Sequence, residues 1–237
     1  MRVASTQKIV MYDLAGADPD RRFSPYCWRI KLALAHKGLP VETIPWRFTD
    51  KAAIAFSGQE KVPVIVDGGC TVHDSWRIAE YLEDAYPDRP SLFGGAAGRG
   101  LARFVNGWTD SVVHPGLFRQ VAADIADHVA EQDIAYFRES RERWVGTALA
   151  AFCADREDRL PEFRRSLAPL RQTLAAQPFL AGETPSYADY AVFGSFQWAR
   201  CISPIRLLEP DDPVHAWRAR LLAAFDGFPG KAVGYEP

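Results

Sequence analysis

Three short segments of this sequence could carry chemistry, and two of them put polar groups where a helix begins, which is where unpaired backbone N–H groups and a positive dipole end can hold an anion. The first is Ser24-Pro25-Tyr26-Cys27. Serine is a favoured N-cap and proline a favoured first helical residue. A thiolate seated at such a start gains from the dipole, and the Ser24 hydroxyl can donate one more hydrogen bond to it. The second is Val62-Pro63. Proline cannot donate to a strand ladder, so it belongs at an edge or a turn; were its peptide bond cis, the Val62 backbone would be open to an extended ligand pairing as an added strand. The third is Asp74-Ser75, where the hydroxyl and free N–H groups suit a small carboxylate and Asp74 suits an ammonium group. Taken singly, each has a purely structural explanation: Ser24 and Ser75 as caps, Pro63 as an ordinary trans proline opening an edge strand.

The elements that must carry these segments alternate. Residues 8–14 read as a short buried strand, residues 16–23 as a turn-rich loop, and the helix opened by Ser24 stacks Cys27, Ile30 and Leu34 on one face before Gly38 ends it. Residues 41–46 are a second strand and residues 51–56 a poor helix. Residues 62–66 and 70–73 form a hairpin around Asp67-Gly68-Gly69. A further helix then starts at Asp74-Ser75, with Ile78, Ala79, Leu82, Ala85 and Tyr86 as its buried stripe. Strand, helix, strand, helix, strand, strand, helix makes a small mixed sheet covered by helices. Residues 87–100, rich in proline and glycine, read as a linker. Beyond it only helices are expected, at residues 101–129, 136–153, 160–176, 187–200 and 214–225. The fold class is therefore α+β, with the first domain over residues 1–88 and an all-α second domain over 98–237.

At 237 residues the chain is long enough for two domains, and its 48% apolar and 24% charged composition is that of a globular protein. A net charge of −2 gives no reason to expect nucleic acid or an anionic membrane as partner. Acidic residues interleave the arginines between Arg138 and Arg165, so that stretch reads as solvated helix surface. The five histidines show no metal-binding spacing. Residues 1–7 lack the apolar stretch of a signal peptide, and no run approaches a membrane span. Four scattered cysteines suit a reducing, cytoplasmic setting. Cys27 reads as a buried, inert thiol, and Cys70, Cys153 and Cys201 as core residues.

In order and spacing together, Ser24-Pro25-Tyr26, Val62-Pro63-Val64 and Asp74-Ser75 resemble the glutathione site of the glutathione transferase family. Phe179-Leu180-Ala181-Gly182 followed by Ser186-Tyr187-Ala188-Asp189 is similar to that family's buried helix start, with capping-box spacing between Ser186 and Asp189. The resemblance covers nearly the whole chain. It implies a thioredoxin-like domain plus a helical bundle, a homodimer, and glutathione as co-substrate without a metal. In it, Ser24 would donate to the glutathione sulfur, the Val62 backbone would pair with the tripeptide's cysteine, and Asp74 and Ser75 would hold its γ-glutamyl end. Asp189 would serve folding, not catalysis. A narrower likeness, to the bacterial β-etherases, lies in Ser24-Pro25-Tyr26-Cys27-Trp28-Arg29, Asp74-Ser75-Trp76, Ser140-Arg141-Glu142-Arg143-Trp144, Arg156-Glu157-Asp158-Arg159-Leu160-Pro161 and Asp211-Asp212-Pro213. It departs at the loop over residues 16–23 and in a shorter C-terminal end. It implies cleavage of β-aryl ethers next to a ketone.

A pocket for a hydrophobic or aromatic small molecule is expected between the domains, opposite Ser24, with Phe23, Trp46, Phe48, Trp108, Phe118 and Arg119 as candidate walls. Two other functions compete with a transferase. A glutathione-dependent thiol oxidoreductase or peroxidase would want a cysteine where Ser24 stands. A non-catalytic carrier of aromatics would keep the same pocket.

Overall fold

The computed structural model of the chain describes residues 8–236. The reading of residues 1–7, and the outer ends of the two expected domains, lie outside the described residues. Four strands, β1 (Ile9–Leu14), β2 (Val41–Trp46), β3 (Val64–Asp67) and β4 (Cys70–His73), form one sheet in the order β2-β1-β3-β4. β2 runs parallel to β1, while β3 and β4 are antiparallel to their neighbours. Pro45 sits in β2, at the sheet edge, where its missing N–H is tolerated. The expected hairpin forms, with Asp67 opposite Cys70 and Gly68 at a positive φ of 58°. Cys70, at its tip, is exposed and not a core residue, because the sheet's last strand leaves that end uncovered. Residues 51–57 wind into a 3₁₀ helix.

Helix α1 (Pro25–His36) is buried on nearly every side: one face lies on the sheet, and another meets the second domain. The two cations it buries are paired, Arg29 with Asp110 and Lys31 with Asp13. Helix α2 (Ser75–Ala85) follows β4 directly. The second domain contains α3 (Ala96–Trp108), α4 (His114–Val121), α5 (Glu131–Val145), α6 (Leu149–Phe152), α7 (Arg156–Ser166), α8 (Ala168–Ala176), α9 (Tyr187–Ile202) and α10 (Pro213–Gly227). None of these helices is long and apolar enough to cross a membrane.

The helices break where the backbone demands it. The expected linker over residues 87–100 is shorter than read, since α3 already begins at Ala96. The long helix expected over residues 101–129 is interrupted by a five-residue π-turn at Thr109–Val113. Pro115, in the first turn of α4, supplies no N–H for the usual i→i−4 bond, and the wider turn accommodates that loss. The helix expected over residues 136–153 ends instead at Gly146, whose φ of 77° is a left-handed cap.

Helix α9 is the axis of the second domain, buried along its length apart from Arg200. It packs on α1, and Gly194 makes that approach possible: a Cβ there would lie 2.4 Å from the Pro25 carbonyl oxygen. Its start is fixed by the capping box expected from the sequence. Buried Asp189 accepts from the backbone N–H groups of Ser186 and Leu180, both at 2.9 Å, and from the Trp217 Nε1 of α10, also at 2.9 Å. The aspartate therefore ties the α9 start to two neighbouring segments. The run from Arg156 to Pro161 has mechanical work as well: Arg156 grips both oxygens of Asp124, at 2.8 and 2.9 Å, and Arg159 pairs with Asp155.

Candidate functional site

Sheet register brings the three segments to one end of the molecule. Tyr12, near the end of β1, pairs with Val64, and Val64 pairs with His73. The Val62-Pro63 segment before β3 and the Asp74-Ser75 step after β4 thus lie beside the end of β1, from which the chain loops to Ser24. The Val62-Pro63 peptide bond is cis. Asp74, at a positive φ of 69°, caps α2 by accepting from the Arg77 N–H at 3.0 Å. It is exposed, whereas Ser75 is buried and its carbonyl accepts from the Tyr187 hydroxyl at 3.0 Å.

Ser24 is buried and caps α1, its Oγ accepting from the Cys27 N–H at 3.1 Å. That uses an oxygen lone pair and leaves the hydroxyl proton free to donate. Cys27 is fully buried. Burial and the nearby Asp13 carboxylate push its thiol pKa well up, outweighing the Ser24 hydroxyl and Lys31, so it stays a neutral thiol.

Beside Ser24 opens a cleft of about 380 Å³, within the range of small-molecule sites. From the first domain it is walled by Phe23, Trp46, Phe48 and Val62, and from the second by His114, Phe118, Tyr136, Arg141, Trp144 and Trp198. Of the six walls expected, Phe23, Trp46, Phe48 and Phe118 line it. Trp108 does not: the π-turn rotates it out of line with Phe118, and it packs against the core. Arg119 does not either. One residue past Phe118, about 100° round the helix, its guanidinium lies 4.7 Å from the Phe152 ring.

Several cleft residues were not assigned from the sequence. Trp198 lies on α9, and His114 begins the helix that the π-turn restarts. Tyr136, Phe137, Arg141 and Trp144 recur at helical spacing on α5 and so share a face. The face is positioned by buried Asp133, which accepts from the Phe48 N–H at 2.9 Å and from the N–H and hydroxyl of Thr49 at 3.0 and 2.5 Å. This carboxylate clamps the loop after β2 to α5, so Phe48 meets Tyr136 and Phe137 with ring centres 6.3 and 5.7 Å apart.

The base of the cleft is held from behind. Buried Arg29 bonds Asp110 at 2.6 Å and Asn106 at 3.0 Å, and lies 4.7 Å from the Tyr26 ring. His114 stands between Tyr26 and Trp198, at ring distances of 5.7 and 4.7 Å. Burial, aided by Arg29 and opposed by Asp110, pushes its pKa down to about 4. It is therefore a neutral imidazole at ordinary pH. Among the described residues no cluster of three or more histidine, cysteine or acidic side chains could hold a metal ion.

Comparison with known proteins agrees with this architecture. The family described as Glutathione S-transferase, N-terminal domain matches residues 19–90, and that described as Glutathione S-transferase, C-terminal domain matches residues 100–211. Glutathione S-transferase U22 of Arabidopsis thaliana is 23% identical over 196 residues, which cover 80% of this chain and 77% of the relative. The glutathione S-transferase CsGST63524 of Ceriporiopsis subvermispora, solved in complex with glutathione, superposes with a TM-score of 0.79 at 25% identity, over 94% of this chain and 98% of that one. Glutathione transferase GSTFuA3 of Phanerochaete chrysosporium shares the fold with a TM-score of 0.80 at 24% identity, over the same shares of both chains. With two family matches spanning most of its length, a thioredoxin-like sheet domain and a helical domain, this chain belongs to the glutathione transferase superfamily and carries its transferase function.

Proposed function

We propose that this protein joins glutathione to aromatic electrophiles in the cleft beside Ser24. The observation that carries the reading is the cleft's composition: aromatic rings from both domains surround a serine-capped helix start. Glutathione lies along the first domain, with its sulfur at Ser24, its cysteine backbone against Val62-Pro63 and its γ-glutamyl end at Asp74 and Ser75. Lys61, exposed at the cleft beside Val62, suits its glycyl carboxylate. The Ser24 hydroxyl and the helix N–H groups favour thiolate over thiol, each pKa unit below about 8.5 being roughly 1.4 kcal/mol of preference. The thiolate then attacks the electrophilic carbon, and the aromatic walls exclude water from the reacting pair. The glutathione domain spans residues 1–88 and the substrate domain residues 98–237.

Cleavage of a β-aryl ether is the finer reading. The thiolate would displace phenolate from the carbon beside a ketone, forming C–S as C–O breaks. A pocket walled by Trp46, Phe48, Phe118, Trp144 and Trp198 suits a substrate with two rings. A homodimer belongs to the proposal as well, because α3 exposes Leu101 and Phe104 at 69% and 74%, surface that a second copy would cover. Free cysteines support a reducing, cytoplasmic setting. The test is turnover with glutathione against 1-chloro-2,4-dinitrobenzene, a peroxide, a disulfide and a fluorogenic β-aryl ether ketone. Phenol release from the last establishes the ether reading. Conjugation of the chloroarene without phenol release removes it, and the lack of glutathione binding at millimolar ligand removes the proposal as a whole.

A further inference from the structure

Two cations line the aromatic cleft, exposed Lys61 from the first domain and Arg141 from the second, and the neighbours of Arg141 leave it available. Among the arginines of α5, Arg143 pairs with Glu139 on the solvent side. Arg141 instead enters the cleft, its guanidinium 5.0 Å from the Phe48 ring centre and 5.3 Å from that of Phe137. Its Nη1 donates to Ser140 Oγ at 2.9 Å. Among the described residues it makes no salt bridge, and the one carboxylate lining the cleft, Glu60, is engaged by Lys51 at 2.8 Å. A guanidinium has five N–H donors in a planar fork that matches a carboxylate. Burial without an acid lowers its pKa, with Tyr136 pulling the other way. Contact with two ring faces restrains the guanidinium at the cleft wall.

We propose that Arg141 makes the cleft selective for aromatic electrophiles bearing an anionic oxygen substituent, a carboxylate or a phenolate, which its guanidinium binds across the pocket from the glutathione thiolate at Ser24. This deepens the transferase reading given above and rests on it. The chemical step is unchanged. For a chloroarene the thiolate forms C–S, the C–Cl bond breaks with its electron pair leaving as chloride, and the thiol proton has already gone to solvent. Arg141 acts on the remote end of the substrate, as a specificity residue.

The experiment pairs a neutral substrate, 1-chloro-2,4-dinitrobenzene, with its carboxylate counterpart 4-chloro-3,5-dinitrobenzoate, in wild type, Arg141→Met and Arg141→Lys. Loss of a charge-assisted, two-pronged contact should raise KM for the benzoate about tenfold or more in Arg141→Met. The lysine variant should recover part of that loss, and KM for the neutral arene, which meets Arg141 only as part of the cleft wall, should change far less than KM for the benzoate. Equal changes for both arenes would reduce Arg141 to a packing residue and overturn the proposal. So would a rise in the KM for glutathione alone, which would place Arg141 on the tripeptide. A second measurement needs no turnover: 2-naphthoate and 2-naphthamide are titrated by quenching of the cleft tryptophans Trp46, Trp144 and Trp198. Tighter binding of naphthoate, lost in Arg141→Met, supports the proposal even if neither chloroarene reacts, an outcome that would defeat only the transferase reading. Equal binding of the two naphthalenes overturns it.

Discussion

Two helices of this molecule, α1 and α9, pack against each other and both begin at a serine, yet the two serines are used differently. At α9, Ser186 is enclosed: its hydroxyl and backbone N–H both face Asp189, which also holds Leu180 and Trp217. At α1, Ser24 makes one cap bond, to the Cys27 N–H, and its remaining side faces a cleft. The local sequence chemistry is the same, a small hydroxyl satisfying an orphan N–H. What separates a folding device from a reactive one is whether the hydroxyl's last hydrogen-bonding capacity is already taken by protein. Asp189 takes it at one end, and at the other the cavity leaves it open.

The comparison is broken most severely at Asp189. In Asp189→Ala, buried N–H donors of Leu180, Ser186 and Trp217 lose their acceptor, each an unsatisfied group costing about 1–3 kcal/mol. The expected loss is about 4 kcal/mol or more, roughly 10 °C or more in melting temperature at this size. Soluble yield should fall, while folded protein keeps its activity per site. A variant that melts normally but lacks activity would move Asp189 into the chemistry. Ser24→Ala should do the converse. Turnover with glutathione should fall by about 10- to 100-fold, below the upper range for a lost oxyanion-type donor because the helix N–H groups remain. Melting should drop only by the value of one cap, about 1 kcal/mol. Cys27→Ser should keep most activity, since a thiol pushed up by burial supplies no thiolate.

Local signals were legible in the sequence: the caps at Ser24, Asp74 and Ser186, the Asp67-Gly68-Gly69 hairpin, and the order of elements. Each depends on residues within four positions of one another. What was not legible depends on how distant segments meet. Trp108 and Arg119 were placed in the cleft on a continuous helix, but the turn at Thr109–Val113 changed which faces point inward. Pro115 was the signal for that break. Arg141 and Trp144 fall in the stretch from Arg138 to Arg165 that reads as solvated helix surface, yet Asp133 gripping Phe48 and Thr49 sets that face of α5 opposite the first domain. Cys70 looked like core because its strand is apolar in part, whereas its place at a hairpin tip on an edge strand exposes it.

A smaller effect lies where the two helix starts share a neighbour. His114 stands against Tyr26, beside the α1 start, and against Trp198 of α9. Its folded pKa of about 4 lies below the ordinary 6.5. Between those values the unfolded chain takes up a proton that the folded chain refuses, so stability is full above pH 6.5 and falls as pH drops toward 4. His36 and His128 are lowered by burial too and act in the same direction. The His114 share between pH 7.5 and 5 should be about 1.5 kcal/mol, allowing for its partial exposure. Urea unfolding of wild type and His114→Gln at the two pH values checks this. The variant should show the shallower loss, and parallel losses would mean that His114 titrates normally.

The smallest effect is expected from Ser186→Ala, and it tests the comparison most directly because it makes at α9 the same change that Ser24→Ala makes at α1. The Ser186 hydroxyl accepts from the Ala188 N–H at 3.2 Å and meets Asp189 Oδ2 at 3.2 Å, both at the long end of hydrogen-bond range. The stronger anchor, from the Ser186 N–H to Asp189 at 2.9 Å, is backbone and survives the substitution. Asp189 also keeps its bonds to Leu180 and Trp217, so no buried charge is stranded. The variant should therefore lose about 1 kcal/mol, the ordinary value of a cap, or roughly 2–4 °C in melting temperature. Its turnover with glutathione should match wild type, while Ser24→Ala, with a similar small change in melting, should lose most of its turnover. Equal losses of activity in the two variants would mean that the open hydroxyl at α1 acts only as a cap, and the distinction between the two helix starts would fail.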